Sequence, residues 1–233
     1  VETETPSCAL RQPPYLTFPF GPISGIKVAV VIKAHAKSEC WSRSCQLPYK
    51  MTVVELQAAV EGIYDFLYAV NSALARQELG MFENIALGNT FSGLLSEILV
   101  KNIAKHSKGV MRNRHVGGHP DLIPVGHPGG DDQLRCDQGV EVKTSRQGGG
   151  WQAHNAETGW LIVFRYELAS GESSPTRFVQ ILAADLEAGD WSLAERKATS
   201  RRTRTCSINQ RGVEKLRANP VYQEEEFVVG QRH

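Results

Sequence analysis

The chain has 233 residues, 41% hydrophobic and 22% charged, with a formal net charge of +1. That length holds one substantial domain with an ample core, and no stretch approaches the roughly eighteen consecutive apolar residues of a membrane span. A whole-chain charge this close to zero gives no support to nucleic-acid binding by bulk electrostatics. The odd, scattered set Cys8, Cys40, Cys45, Cys136 and Cys206 argues against a disulfide framework and for a reducing, cytoplasmic setting.

Residues 1 to 50 stand apart. They hold six of the eleven prolines and three of the five cysteines, and only Ile26 to Ile32 reads as a strand. The segment is expected to be an extension or arm, and a product starting at the first methionine, Met51, would lack it. Cys40 and Cys45 have the spacing of half a zinc site, with no second close pair to complete it. Residues 51 to 233 are expected to form a single domain.

From Glu55 to Leu79, apolar residues at Leu56, Ala59, Val60, Ile63, Phe66, Leu67, Val70, Ala73 and Leu74 follow the three-and-four spacing of one helix face. That face packs in a core or, alternatively, against a second copy of the chain. A second helix is predicted over about Thr90 to His106, with Phe91, Leu94, Leu95, Ile98 and Leu99 on one side and Asn89 or Thr90 as its cap. Further on, His115, His119, His127 and Cys136 make a nominal metal-ligand set. Gly117-Gly118 rules out a helical His-x-x-x-His, so these histidines read as loop residues or phosphate contacts.

Pro120-Asp121 then opens the apolar run Leu122-Ile123-Pro124-Val125, a predicted strand. Twenty residues after Asp121 comes Glu141-Val142-Lys143, inside the extended stretch Gly139 to Ser145. Alternation in a strand puts Glu141 and Lys143 on one face and Val140, Val142 and Thr144 on the other. A hairpin-like connection would set Asp121 beside Glu141, making an oxygen-ligand pair for a hard cation, with Lys143 placed to stabilise charge on a phosphate. Without a cation the two carboxylates repel, and one pKa should rise.

The pattern Pro120-Asp121 followed by Glu141-x-Lys143 resembles that of the PD-(D/E)XK nuclease superfamily, which includes many type II restriction endonucleases and several repair nucleases. The resemblance covers about residues 90 to 185. It implies an α/β fold with a mixed central sheet flanked by helices, Asp121 and Glu141 as metal ligands, Lys143 as the catalytic lysine, and Mg2+ as the cofactor with Mn2+ able to substitute. Glu97 resembles the extra acidic residue that many members carry on the helix before the motif. Its rotation away from the apolar stripe, with Lys101 four residues on, offers a solvated ion pair as the alternative. One departure concerns topology: a helix commonly follows the motif strand in the superfamily, and Gly148 to Gly150 would interrupt one here.

After the motif, Arg146, Gln147, Trp151, Gln152, His154 and Asn155 bring donors and an aromatic next to the motif strand. Arg and Gln suit bidentate base contacts and Trp suits stacking on an unpaired base; an ordinary polar surface loop is the alternative. Strands follow at Trp160 to Tyr166 and Arg177 to Ala183, then a short helix around Gln210 to Arg217, stopped before Asn219-Pro220. Between Arg196 and Arg217, eight basic residues, among them Arg201, Arg202 and Arg204, face Glu214 alone, the charge excess of a phosphate-facing element. The expected activity is a Mg2+-dependent DNA endonuclease of restriction type, with no motor motif of the form Gly-x-x-x-x-Gly-Lys-Ser/Thr, acting as a dimer on duplex DNA. A structure-selective repair nuclease and a DNA-binding subunit without cleavage of its own are the alternatives.

Overall fold

The computed structural model describes residues 30–153, 155–169, 174–193 and 205–225. Helix α1 (Val53–Ala75) starts two residues before its predicted position because Thr52 builds a capping box: Thr52 Oγ1 accepts from Glu55 N at 3.3 Å and Glu55 Oε2 accepts from Thr52 N at 2.8 Å. Of the expected stripe, Leu56, Ala59, Val60, Ile63 and Leu67 are buried, with Tyr64 beside them; Phe66, Val70, Ala73 and Leu74 are half-buried, and the helix stops at Ala75, short of Leu79. A short α2 (Phe82–Ile85) leads to α3 (Gly88–His106), which buries Phe91, Leu95, Leu99, Val100 and Ile103. Its cap is Leu87 rather than Asn89 or Thr90; the Asn89 side chain instead accepts from Thr90 N. Gly62 lets the two long helices approach closely, since a Cβ there would collide with the Asn102 side chain.

Among the described residues nine strands follow: β1 (Val110–Arg112), β2 (Leu122–Pro124), β3 (Val140–Ser145), β4 (Gln152–Ala153), β5 (Gly159–Glu167), β6 (Arg177–Leu186), β7 (Trp191–Leu193), β8 (Cys206–Ile208) and β9 (Pro220–Gln223). Helix α4 (Gln210–Arg217) sits between the last two and matches its predicted span. The central sheet has the order β1-β2-β3-β5-β6-β9 and is mixed: β3 and β5 run parallel, while the other neighbours are antiparallel. The fold is α/β, with a mixed central sheet flanked by helices.

Period-two alternation divides the core between the two faces of that sheet. Val140, Val142, Ile162 and Phe164 pack on the α1–α3 side. Leu161, Val163, Leu182, Ala184 and Leu186 pack on the other, against Leu216 of α4 and a small antiparallel sheet, β4-β8-β7. Six named pieces of structure lie beyond the predicted elements: α2, β1, β9, and the small sheet's β4, β7 and β8. All are two to four residues long, too short for a periodic signal.

Residues 30–50 are bound into this core. Trp41 is buried with its ring 4.8 Å from that of Tyr222, Ser42 N donates to Val221 O, and the Tyr49 hydroxyl accepts from Gly139 N at 2.8 Å. The expected strand at Ile26 to Ile32 lies mostly outside the described residues, and its described end, from Val30, is not a strand. Cys40 and Cys45 are free thiols packed against the core. No helix among the described residues is long and apolar enough to cross a membrane.

Candidate active site

Strand β3 sets a half-buried charged pair on the face opposite a buried apolar floor. Val140 and Val142 are buried in the α1–α3 core, and on the opposite face Lys143 Nζ lies 3.1 Å from Glu141 Oε1. Its edge toward β2 is paired only at Val140↔Leu122, which leaves later backbone groups of β3 in need of partners. Asp121 Oδ2 accepts from Val142 N at 2.9 Å, Ser96 Oγ donates to Val142 O, and Ser92 Oγ donates to Thr144 O. The aspartate and the serines of α3 thereby finish the ladder and fix the helix and Asp121 against the strand that carries Glu141. Gly139, at φ 145°, makes this approach possible, because a Cβ there would strike Pro120 and the Leu122 carbonyl.

Two further side chains complete the cluster, and neither was singled out as a site residue from sequence. His119 Nδ1 lies 3.0 Å from Glu141 Oε2, and Glu157 Oε2 lies 2.9 Å from Lys143 Nζ. The nominal set His115, His119, His127 and Cys136 does not converge on one point, although Cys136 N donates to His119 O. His115 pairs with Asp132, and His127 lies 3.3 Å from the Cys136 thiol. Glu157 carries no local signal. It belongs to the loop before β5 and reaches the site because β5 lies beside β3 in parallel.

The charges respond to this crowding. Burial, together with the nearby Glu141 charge, pushes Asp121 up to about 7, against a weaker downward pull from the Val142 N–H. For Glu141, burial acts upward, but the His119 hydrogen bond and the Lys143 charge outweigh it and hold the carboxyl below its usual value. Burial raises Glu157. Lys143 loses from burial, yet the charges of Glu141 and Glu157 more than compensate and keep the ammonium above its ordinary value. The hydrogen bond to Glu141 raises His119.

The other expected site residues are placed as follows. Glu97 pairs with Arg112 at 2.9 Å rather than with Lys101, and its charge adds to the field that raises Asp121. Trp151 is corrected from base stacker to core residue: the residue is 3% exposed, and its indole N–H donates to Gln147 O. Arg146, Gln147, Gln152 and Asn155 are exposed beside it. His154, Arg201, Arg202 and Arg204 lie outside the described residues, as do Arg196 and Lys197. The three described members of the basic segment have partners: Arg211 and Lys215 both pair with Asp190, and Arg217 donates to Gly148 O. A linear charge count misses this neutralisation because Glu187 and Asp190 stand just upstream of the counted segment.

An open groove of about 590 Å³ runs along the exposed edge of β3, lined in part by Asn89, Ser92, Ser96, Lys143, Gln147 and Gln152. Lys143 therefore belongs both to the acidic cluster and to the groove.

Set against the models of known protein families, curated proteins and solved structures, the chain matches none. Its own architecture gives the class: a mixed α/β protein whose central sheet carries a largely buried cluster of carboxylates, imidazole and ammonium beside an open groove.

Proposed function

We propose that this chain is a divalent-metal-dependent endodeoxyribonuclease with a restriction-endonuclease-like core, acting on DNA as a homodimer. The observation that carries the reading is the convergence of Asp121, Glu141 and Lys143. The Asp121 carboxylate is bonded to the backbone of the same strand from which Glu141 and Lys143 project together. This arrangement of two acids and an amine is the one that the motif resemblance calls for.

The donor set fits a divalent cation. Asp121, Glu141 and Glu157 bring three negative charges when ionised and Lys143 one positive, which leaves two uncompensated with His119 neutral. A buried carboxyl that titrates near 7 is the proton-bearing substitute for such a cation. Asp121 and Glu141 would hold the ion, with its remaining positions open to water and substrate. When bound, it supplies Lewis-acid polarisation of a phosphoryl oxygen and an acidic water.

The chain's own groups do the rest. Lys143, kept protonated by Glu141 and Glu157, is one of the residues lining the groove, and its ammonium would stabilise charge developing on the scissile phosphate. The serine, asparagine and glutamine side chains along the groove offer uncharged donors to a sugar–phosphate backbone.

The test is incubation of the purified chain with plasmid and phage DNA in Mg2+, alongside EDTA and Glu141→Ala controls. Discrete bands that depend on metal and vanish in the variant are expected. A metal-dependent smear would replace sequence-specific cutting with nonspecific or structure-selective cutting. Intact linear and branched DNA, with binding that weakens steeply in salt, would overturn the enzyme reading in favour of a binding subunit.

A further inference from the structure

The nuclease reading uses Asp121, Glu141 and Lys143 and gives no ligand task to His119 or Glu157. These two, together with Glu141, each offer a donor atom, and the three atoms lie within 4.8 Å of one another. They come from separate stretches of chain: the turn before β2, β3 itself, and the loop before β5. All three side chains line a cavity that also touches Pro120, Cys136 and Gly139. A cation already serves two of them, since the Lys143 ammonium bridges Glu141 Oε1 at 3.1 Å and Glu157 Oε2 at 2.9 Å.

We infer that His119, Glu141 and Glu157 form a three-ligand site for a first-row transition-metal divalent ion, with Glu141 shared between it and the Asp121 side. The inference rests on the same cluster being a metal site, but it does not require that the protein cut DNA. Its chemistry follows from the nitrogen. Mg2+ takes oxygen ligands and retains waters, whereas an imidazole beside two carboxylates suits manganese, iron, cobalt or zinc. Three protein donors with a position left over is also the pattern of a metal site that acts on a bound molecule rather than one that only staples a fold. Bonds of about 2.0–2.2 Å to each donor require only a short closing of the present spread. An ion here takes over the counter-charge that Lys143 now supplies to Glu157, which frees the ammonium for the groove it also lines.

The experiment uses the full chain, without DNA, and Mn2+ as the probe. Mn2+ is titrated by electron paramagnetic resonance, the bound ion is examined by spin-echo modulation for coupling to ¹⁴N, and Mg2+ is added as competitor. The wild type should bind Mn2+ at least about tenfold more tightly than Mg2+ and show imidazole ¹⁴N coupling. His119→Ala should abolish the coupling and weaken Mn2+ about ten- to a hundredfold, with Mg2+ affinity little changed. Glu157→Gln should weaken Mn2+ while keeping the nitrogen coupling, and it serves as the near-isosteric check if the alanine variant folds poorly. Absence of ¹⁴N coupling in the wild type, or its persistence in His119→Ala, would overturn the assignment. The two readings fail separately. Nitrogen-coupled Mn2+ with no DNA cleavage sinks only the nuclease, and Mg2+-dependent cleavage with no nitrogen coupling sinks only this site.

Discussion

Two aspartates lie deep in this protein and are treated in opposite ways. Asp190 is 0% exposed and surrounded by positive charge: Glu187 N donates to it, Lys215 Nζ lies at 2.6 Å and Arg211 Nε at 3.0 Å. Burial alone would raise its pKa, but those hydrogen bonds and the two cationic charges hold it below the usual carboxylate range. Among the described residues the Asp121 carboxyl has one hydrogen bond, from Val142 N, and a second carboxylate as neighbour, and it is pushed up to about 7. The first closes a structural joint between α4 and the turn before β7. The second is a buried acid left short of positive charge, the condition expected where a cation from solution completes the site.

The contrast can be broken most sharply by activity. Asp121→Ala or Glu141→Ala should raise the barrier to Mg2+-dependent DNA cleavage by at least ~4 kcal/mol, about a thousandfold. Asp190→Ala should leave the rate per folded molecule unchanged. Single-turnover cleavage at saturating Mg2+ reads both, and wild-type-like cutting by Asp121→Ala would remove Asp121 from the site.

The next effect is on stability against pH. The Asp121 carboxyl titrates near 7 in the fold and near 3.8 when free of it, so the fold prefers its neutral form. The stability this contributes is full below about pH 4 and is lost as pH rises through about 7. In metal-free protein at pH 8, Asp121→Asn should therefore be more stable than wild type by up to roughly 4 kcal/mol, and the gain should shrink toward pH 4. Paired melting curves across that range check this, and a gain that grows toward acid would reverse the assigned shift. For Asp190 the sign is opposite, because its depressed carboxyl contributes stability that is present at neutral pH and lost on acidification.

Asp190→Ala removes two charge-assisted hydrogen bonds and should cost roughly 3 kcal/mol, read by urea denaturation. Saturating Mg2+ should not restore it. The smallest effect calibrates the others. Thr52→Ala, at the capping box of α1 and away from both acids, should cost about 1 kcal/mol with no dependence on metal.

Much of the architecture was legible because it is periodic. The stripe of α1, the alternation of β3 and the apolar runs of β5 and β6 each repeat often enough to declare an element, and α4 was bounded by Asn209 and Pro220. At the start of α1 a specific contact moved the boundary, the Thr52–Glu55 box. The short strands β1, β4, β7, β8 and β9 are defined by pairing with a neighbour brought alongside by the fold rather than by any pattern of their own.

The site divides along the same line. Alternation along one strand was enough to put Glu141 and Lys143 on a common face over buried valines, and the local run after Asp121 was enough to make it the start of a strand. Only the tertiary structure decided that Asp121 would bond to the Glu141 strand, that Trp151 would turn inward, and that Arg211 and Lys215 would be spent on Asp190. It also brought His119 and Glu157 into the cluster. The physical reason is range: side-chain direction within an element follows from backbone geometry and can be read locally. Which charges meet across elements depends on sheet order and register, here the parallel pairing of β3 with β5, and no local pattern encodes that.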